Sequence, residues 1–453
     1  MMPELISSST RRAILGLGTT GRSVARFWKS RGIPFIALDT RPELANDLDL
    51  RRELVGVEAH FGEFDDALFD AIDLLIASPG IAMDSPELMK AQQAGVEVRG
   101  DIDVFVAETE KPVIGITGSN GKSTVTTFVG QLLESCGFRV ALGGNLGTGA
   151  LDLLEQDADI YVLELSSFQL ERAGDLNLAV ATVLNLTPDH LDRHQTMPLY
   201  HLAKHRIFSG SKHVVVNARD PLTLPVGKGD VAWTAWRDDE PDLQQLGVRQ
   251  IDGEPWIAFG FEALIRCSDL PVVGEQNIRN VLAALAICRG VGLEFAQLIE
   301  GVGSLRGLPH RCEFIAESSG VSFINDSKAT NVGAAVSAIC GLAKGKNIIL
   351  IAGGESKGQS FEALSKAVKG TCKQVILMGA AAAEIAEALP SETNVVLADS
   401  LDIAVEMASG LAQVGDVVLL SPACASFDMF ANYQQRGETF RQAVLHLSDE
   451  VTS

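Results

Sequence analysis

Eight consecutive residues, Thr117-Gly118-Ser119-Asn120-Gly121-Lys122-Ser123-Thr124, bring two glycines, a lysine and several hydroxyl side chains into one short stretch. A turn of this composition aims backbone N–H groups at phosphate oxygens, sets an ammonium against β/γ charge and offers a hydroxyl to a divalent metal. The flanks give it the right context. Residues 112–116 are apolar and β-branched and predict a strand, while residues 123–133 space their apolar side chains for a helix. ATP is the expected ligand, with Gly118, Ser119, Asn120, Gly121, Lys122, Ser123 and Thr124 around its phosphates. One departure from the strict phosphate-loop pattern is present: the glycine expected six positions before the lysine is Ile116.

Phosphoryl transfer from ATP requires Mg²⁺, which takes oxygen ligands. Glu164 follows a strand predicted over 160–163 and is the best protein candidate for that metal, beside Ser123. His190 lies in Thr187-Pro188-Asp189-His190-Leu191-Asp192-Arg193-His194, after a strand predicted over 178–186, where it can meet metal or substrate. Lys204 falls on a helix predicted over 198–208. Each residue also has a plainer reading: an edge carboxylate, a structural imidazole and a surface lysine.

The elements that must position these groups read as an α/β chain. A strand over 13–17 runs into Gly16-Leu17-Gly18-Thr19-Thr20-Gly21 and a helix through Val24, Phe27 and Trp28; a second strand over 35–38 ends at Asp39. Alone, this is a dinucleotide fingerprint with its ribose-binding acid, the pattern of a nicotinamide-dependent oxidoreductase. A third strand over 73–77 stops at Ser78-Pro79-Gly80, and by residue 108 the segment has too few strands for a two-halved dinucleotide fold, so one nucleotide is expected. Beyond the phosphate loop come Gly143-Gly144-Asn145, an antiparallel hairpin around 231–260, and helices over 276–290 and 294–301. The linker 303–311 breaks both periodicities and marks a boundary. After it, strands over 347–351, 374–378, 394–397 and 416–420 alternate with helices near 361–369, 380–388, 401–412 and 434–447, which implies a parallel sheet. Lys328, Lys357 and Ser426 follow strands in this last segment and suit the binding of carboxylates.

The expected architecture is three domains: a Rossmann-like domain at 1–108, a P-loop-type ATP-binding domain at 109–304 and a Rossmann-like domain at 305–453, in keeping with the 453-residue length. A net charge of −21 argues against nucleic-acid binding, because such a chain repels phosphate backbones and must grip any anion with local cations. No apolar run reaches membrane-spanning length, no secretory signal opens the chain, and seven scattered cysteines lack metal or disulfide spacing, all of which point to a cytoplasmic protein with buried thiols.

The chain resembles the Mur ligases in the phosphate loop and in three further segments. These are Leu163-Glu164-Leu165-Ser166-Ser167-Phe168-Gln169-Leu170, Asn325-Asp326-Ser327-Lys328-Ala329-Thr330-Asn331 and Ser421-Pro422-Ala423-Cys424-Ala425-Ser426-Phe427-Asp428. The family's loop tolerates the departure at Ile116, and the last segments resemble its D-glutamate-adding branch. The resemblance covers nearly the whole chain. It implies ATP-dependent amide-bond formation through an acyl phosphate in peptidoglycan precursor synthesis, with UDP-N-acetylmuramoyl-L-alanine, D-glutamate and ATP as substrates, no nucleic-acid or membrane partner, and a monomer. It further implies that Thr19, Thr20, Asp39, Thr40 and Gly80 bind the uridine diphosphate, so that the N-terminal fingerprint serves UDP and not NAD. Asn145 and His190 then meet the muramoyl part or its metal, and Ser123 and Glu164 hold Mg²⁺. Asn277, Asn280, Arg311 and Asp326 contact the adenine nucleotide, and Thr330, Lys357, Ser426, Phe427 and Tyr433 form the D-glutamate pocket. Lys204 corresponds to a lysine that the family carries as a CO₂-derived carbamate, an oxygen ligand for a second Mg²⁺. With Lys122, Glu164 and His190 it completes the expected catalytic set. A folate-type polyglutamate ligase, which would lack the leading nucleotide-binding segment, and a non-catalytic nucleotide-binding regulator are the competing readings.

Overall fold

The computed structural model describes residues 10–227, 231–356 and 358–451. The chain is α/β and divides into two compact units, the first comprising Met1–Arg266 and Leu282–Val302, the second Cys267–Val281 and Gly303–Ser453. Among the described residues no helix is long and apolar enough to cross a membrane.

Unit 1 holds two sheets. The first is built from β1 (Arg12–Leu15), β2 (Ile36–Asp39), β3 (Glu58–Phe61), β4 (Leu74–Ala77) and β5 (Glu97–Arg99) in the order β3-β2-β1-β4-β5, with every pairing parallel. Both faces are covered. Ile14, Ala37 and Ile76 pack with Val24 and Trp28 on one side, while Leu15, Leu38 and Leu75 pack with Phe69 and Leu88 on the other, which is why the central strands are apolar without alternation. The sequence reading misses β3 and β5 because both are short edge strands, only partly buried and broken by Glu58, His60, Glu97 and Arg99.

The second sheet has nine strands: β6 (Val113–Thr117), β7 (Val140–Gly144), β8 (Ile160–Glu164), β9 (Val180–Val183), β10 (His213–Asn217), β11 (Ala232–Trp236), β12 (Gln245–Ile251), β13 (Glu254–Phe259) and β14 (Glu262–Arg266). Their order, β14-β13-β12-β11-β10-β9-β6-β8-β7, puts β6 between β8 and β9, and Ile116 lies opposite Glu164 on one side and Thr182 on the other. The hairpin expected around 231–260 is corrected in part. β11 runs parallel to β10 and to β12, and antiparallel pairing begins only at β12-β13. Turn chemistry explains the difference: Asp252-Gly253, both with positive φ, close a two-residue hairpin loop, whereas eight residues separate β11 from β12.

Unit 2 carries a six-stranded sheet, β15-β16-β20-β17-β18-β19, formed by β15 (Glu313–Ser318), β16 (Val321–Asn325), β17 (Ile348–Gly353), β18 (Cys372–Met378), β19 (Val395–Leu397) and β20 (Val417–Leu420). All pairings are parallel except β15-β16. Leu350 and Ala352 face a core with the helices Val332–Leu342 and Glu362–Val368, and Ile349 and Ile351 face one with Leu401–Leu411 and Tyr433–Val451. Four of the seven cysteines are buried, Cys136 and Cys267 are partly exposed and Cys340 is exposed, which corrects the expectation of uniformly buried thiols.

Candidate active site

The glycine-rich turn leaves β6 at Thr117 and enters the helix Lys122–Ser135, whose N-cap Gly121 has φ +82°. That left-handed conformation is open to glycine at no steric cost and lets the chain fold back around an anion. The turn is braced from the next strand. Asn120 N donates to Asn185 Oδ1 at 2.9 Å, Asn185 Nδ2 donates to Asn120 O at 3.0 Å, and Ser119 Oγ lies 2.9 Å from Thr187 O and 3.0 Å from the Tyr200 hydroxyl. Sequence reasoning missed Asn185 and Tyr200 and gave Thr187, which opens the His-rich loop, no role; Tyr200 lies four residues before Lys204 and so on the same helical face.

Neighbouring strand ends place a carboxylate and one of its donors, Asn145, beside this turn, and the helix that follows it supplies the other, Ser123. Glu164, the last residue of β8, is 3% exposed. It accepts from Ser123 Oγ at 2.5 Å and from Asn145 Nδ2 at 2.8 Å. Ser123, Glu164 and Asn145 therefore form one connected oxygen-rich group. Among the described residues no cluster of three or more His, Cys, Asp and Glu side chains could hold a metal. One carboxylate and one hydroxyl fit Mg²⁺ nonetheless, since that ion keeps waters and substrate phosphates in most of its positions.

Two lysines converge on a single carbonyl oxygen. Lys122 Nζ donates to Gly118 O at 2.8 Å and to Ser119 O at 2.9 Å, and Lys204 Nζ donates to the same Gly118 O at 2.9 Å and lies 3.2 Å from Thr117 Oγ1. Lys204 is 2% exposed, with its Nζ 4.9 Å from the centre of the Tyr200 ring. Burial first, and then the Lys122 charge, push its pKa well below the ordinary lysine value, against the opposing pull of Asp189 and Glu164. The plain reading of a surface lysine is thereby excluded. His190 N-caps the helix Leu191–His194 in the left-handed region, φ 52°; its side chain is half-exposed and meets the Phe168 ring edge-on at 4.9 Å. Partial burial lowers its pKa, with Asp189 opposing and Lys122 and Lys204 adding to the fall.

In the first sheet the fingerprint turn follows β1, and Gly80 follows β4, its parallel neighbour, so both sit at the carboxyl ends of adjacent strands. Thr19, Thr40 and Gly80 are exposed and Thr20 is half-buried. Gly21 is sterically required: a Cβ there would lie 1.9 Å from Gly16 O. Asp39 is buried and fully engaged, accepting from Leu17 N at 2.6 Å and from Arg41 Nη2 at 2.8 Å and Nε at 2.9 Å. Burial pushes its pKa up, but these donors outweigh that and hold it below the usual value.

In unit 2, β16, β20 and β17 are adjacent, and their ends bring together the turns at Asp326, Ser421 and Gly354. Asp326 accepts from Ser421 Oγ at 2.8 Å and Cys312 N at 3.2 Å, and burial raises its pKa to about 7. Asn277 and Asn280 share a hydrogen bond of 3.1 Å at the start of the helix Glu275–Gly290, and Arg311 is half-buried, its charge acting on Asp326. Thr330 N bonds Lys328 O at 2.7 Å, Ser426 is buried, Phe427 is exposed, and Tyr433 opens the helix Tyr433–Val451 with the Lys328 ammonium 4.1 Å above its ring. Lys357 lies outside the described residues. A residue without any motif signal organises these turns: Arg436, 1% exposed, donates to Ser327 O at 2.8 Å and to Cys424 O and Ala425 O at 3.2 Å.

Comparison with known proteins adds sequence-wide likeness to this geometry. Three family models match: the N-terminal domain of MurD-like Mur ligases over residues 10–100, the Mur ligase middle domain over 116–288, and the Mur ligase glutamate ligase domain over 310–424. The UDP-N-acetylmuramoylalanine–D-glutamate ligase of Pseudomonas putida is 48% identical, covering 98% of this chain and 99% of its own. The protein of the same name from Marinobacter nauticus is 43% identical, covering 97% and 99%. Among solved structures, a MurF ligase from Thermotoga maritima in complex with ADP superposes with a TM-score of 0.60 at 19% identity, covering 96% of this chain and 98% of its own, which is a likeness of fold.

Proposed function

The chain belongs to the Mur ligase family, and from that premise we propose that it joins D-glutamate to UDP-N-acetylmuramoyl-L-alanine at the expense of ATP, in peptidoglycan precursor synthesis. Relatives carrying that name align end to end at nearly half identity, which supports the substrate assignment. The observation that carries the chemistry is the convergence of Lys122 and Lys204 on Gly118 O beside the Ser123–Glu164 pair.

The L-alanyl carboxylate attacks the γ-phosphorus of ATP, the bond to the β–γ bridging oxygen breaks, and an acyl phosphate and ADP form. Two anions must approach, so charge neutralisation is the main task. Lys122 and the N–H groups of residues 121–124, at the start of the helix Lys122–Ser135, hold the β- and γ-phosphates, and His190 orients the muramoyl end. Ser123 and Glu164 would hold one Mg²⁺, and His190 with a carbamate on Lys204 a second; bound there, such ions lower the charge of the phosphoryl oxygens. Lys204 suits carbamate formation because CO₂ adds only to a neutral amine, the state that its burial favours. The amine of D-glutamate then attacks the acyl carbon, loses a proton, and phosphate departs with the C–O bond electrons to leave the amide.

The remaining assignments are carried by the family resemblance. Thr19, Thr20, Asp39, Thr40, Gly80 and Asn145 serve the UDP-substrate; Asn277, Asn280, Arg311 and Asp326 the adenine nucleotide; Thr330, Lys357, Ser426, Phe427 and Tyr433 D-glutamate. Domain boundaries fall near 108/109 and 304/305, and the protein works as a cytoplasmic monomer. The test is phosphate release with UDP-N-acetylmuramoyl-L-alanine, ATP and Mg²⁺. Release is expected with D-glutamate and at least about 100-fold slower with L-glutamate; equal rates, or release without any amino acid, would overturn the reading.

A further inference from the structure

The loop after β4 is held by two arginines that no motif predicts. Arg172, whose side chain is completely buried, donates through Nη1 to Ala77 O at 3.1 Å and Ser78 O at 2.7 Å, and through Nη2 to Ile81 O at 2.8 Å. These hydrogen bonds fix the backbone on both sides of Pro79-Gly80. Arg193 Nη2 reaches the same Ile81 O at 2.8 Å. Glu171, with a side chain 13% exposed, pairs with both guanidinium groups, at 3.0 Å from Arg172 and in closer contact with Arg193. Without that carboxylate, two cations would face one carbonyl oxygen in a largely dry place.

The connections run further at each end. Ser78 Oγ donates to Gly16 O at 2.5 Å, so the clamped loop is tied to the N-terminal fingerprint turn. Arg193 lies over the face of the Phe168 ring at 5.1 Å, and the same ring meets His190 edge-on. Arg193 also follows His190 by three residues in the helix Leu191–His194. An arginine is suited to this task because its planar fork makes several fixed bonds at once, which a lysine ammonium on a flexible stem does not.

We propose that Arg172 and Arg193, bridged by Glu171, are positioning residues that hold the 78–81 loop in its substrate-binding conformation and tie it to His190. The inference rests on the proposed function for the identity of the ligand, namely a uridine diphosphate carried at Gly80, and on the hydrogen bonds alone for the clamp itself. Arg172→Met is expected to raise KM for UDP-N-acetylmuramoyl-L-alanine about 10-fold, with KM for ATP and for D-glutamate changed less than about 2-fold; Arg172→Lys should fall between. Amide hydrogen exchange on the full chain supplies a substrate-free readout: exchange at residues 78 and 80–82 should quicken about 10-fold, while β6 and β8 stay protected. If Arg172→Met does not fold, Arg193→Gln, on a side chain that is 18% exposed, carries the same two measurements. Unchanged exchange in the loop, or parallel changes in all three KM values, would overturn the clamp. A wild-type protein that makes no product would overturn the proposed function instead, and the exchange arm would still decide the clamp.

Discussion

Replacing Asp101 by Asn should stabilise unit 1 at neutral pH, by an amount that the burial of this carboxyl sets. Asp101 is 4% exposed, receives one side-chain hydrogen bond, 3.3 Å from Gln169 Nε2, and has a second oxygen, Oδ1, that is buried with no hydrogen-bond partner. Burial pushes its pKa from 3.8 to about 6, only partly offset by Gln169 and by the charge of Arg172. The folded state therefore binds a proton more readily than the unfolded chain, and stability falls as pH rises from about 4 to about 6. A rise of that size corresponds to about 3 kcal/mol, a penalty that is complete above about pH 6 and absent below about pH 4. Asparagine keeps the shape and removes the ionisation. The stability difference between Asp101→Asn and wild type, from urea unfolding of the unit 1 transition at about pH 4 to 8, should thus rise by about 1.4 kcal/mol per pH unit across that window and then level off. A difference that stays flat with pH would refute the reasoning, and one that falls would reverse its sign.

Lys122→Ala should lower ATP-dependent phosphate release by at least about 100-fold, since it removes the cation closest to the loop's carbonyls; near-wild-type turnover in a coupled assay would remove the phosphate-cradle assignment. Glu164→Gln should cost about 10- to 100-fold in kcat and shift the Mg²⁺ requirement upward, read from a magnesium titration of the rate. Labelled bicarbonate should give a carbamate carbon signal in wild type that Lys204→Met lacks, and scrubbing CO₂ from the buffer should slow wild type only. Arg436→Met should destabilise unit 2 by about 3 kcal/mol, because the carbonyls of Ser327, Cys424 and Ala425 lose a buried donor; a variant with unchanged thermal stability would contradict that.

Much of this architecture was legible in the residues because local chemistry and global fold agree where the sheets are buried on both faces. The strands β1, β4, β6, β8 and β17 announce themselves as apolar runs, and several strand ends carry residues that are costly to keep unless they work: Gly118 after β6, Glu164 at the end of β8 and Asp326 after β16. The illegible parts have physical reasons. The edge strands β3, β5 and β15 are only partly buried, with charged residues such as Glu58, Glu97 and Glu317 and, in β15, an exposed Phe314, so no period survives. The direction of β11 depends on the length of the loop after it, not on its own side chains. Arg172, Arg193 and Arg436 were invisible because a buried arginine that serves backbone carbonyls reads, along the chain, like any exposed one; its role exists only once distant turns are brought together.

The place of β6 between β8 and β9 has a lasting consequence. Because Ile116 is in register with Glu164 and with Thr182, the separation of turn, carboxylate and imidazole loop is ruled by the fixed spacing of hydrogen-bonded strands, about 4.8 Å apart. The intervening helices and connections can drift in length and composition without disturbing that ruler. Their mutual spacing would change chiefly through a slip of pairing, which would turn every neighbouring side chain to the opposite face.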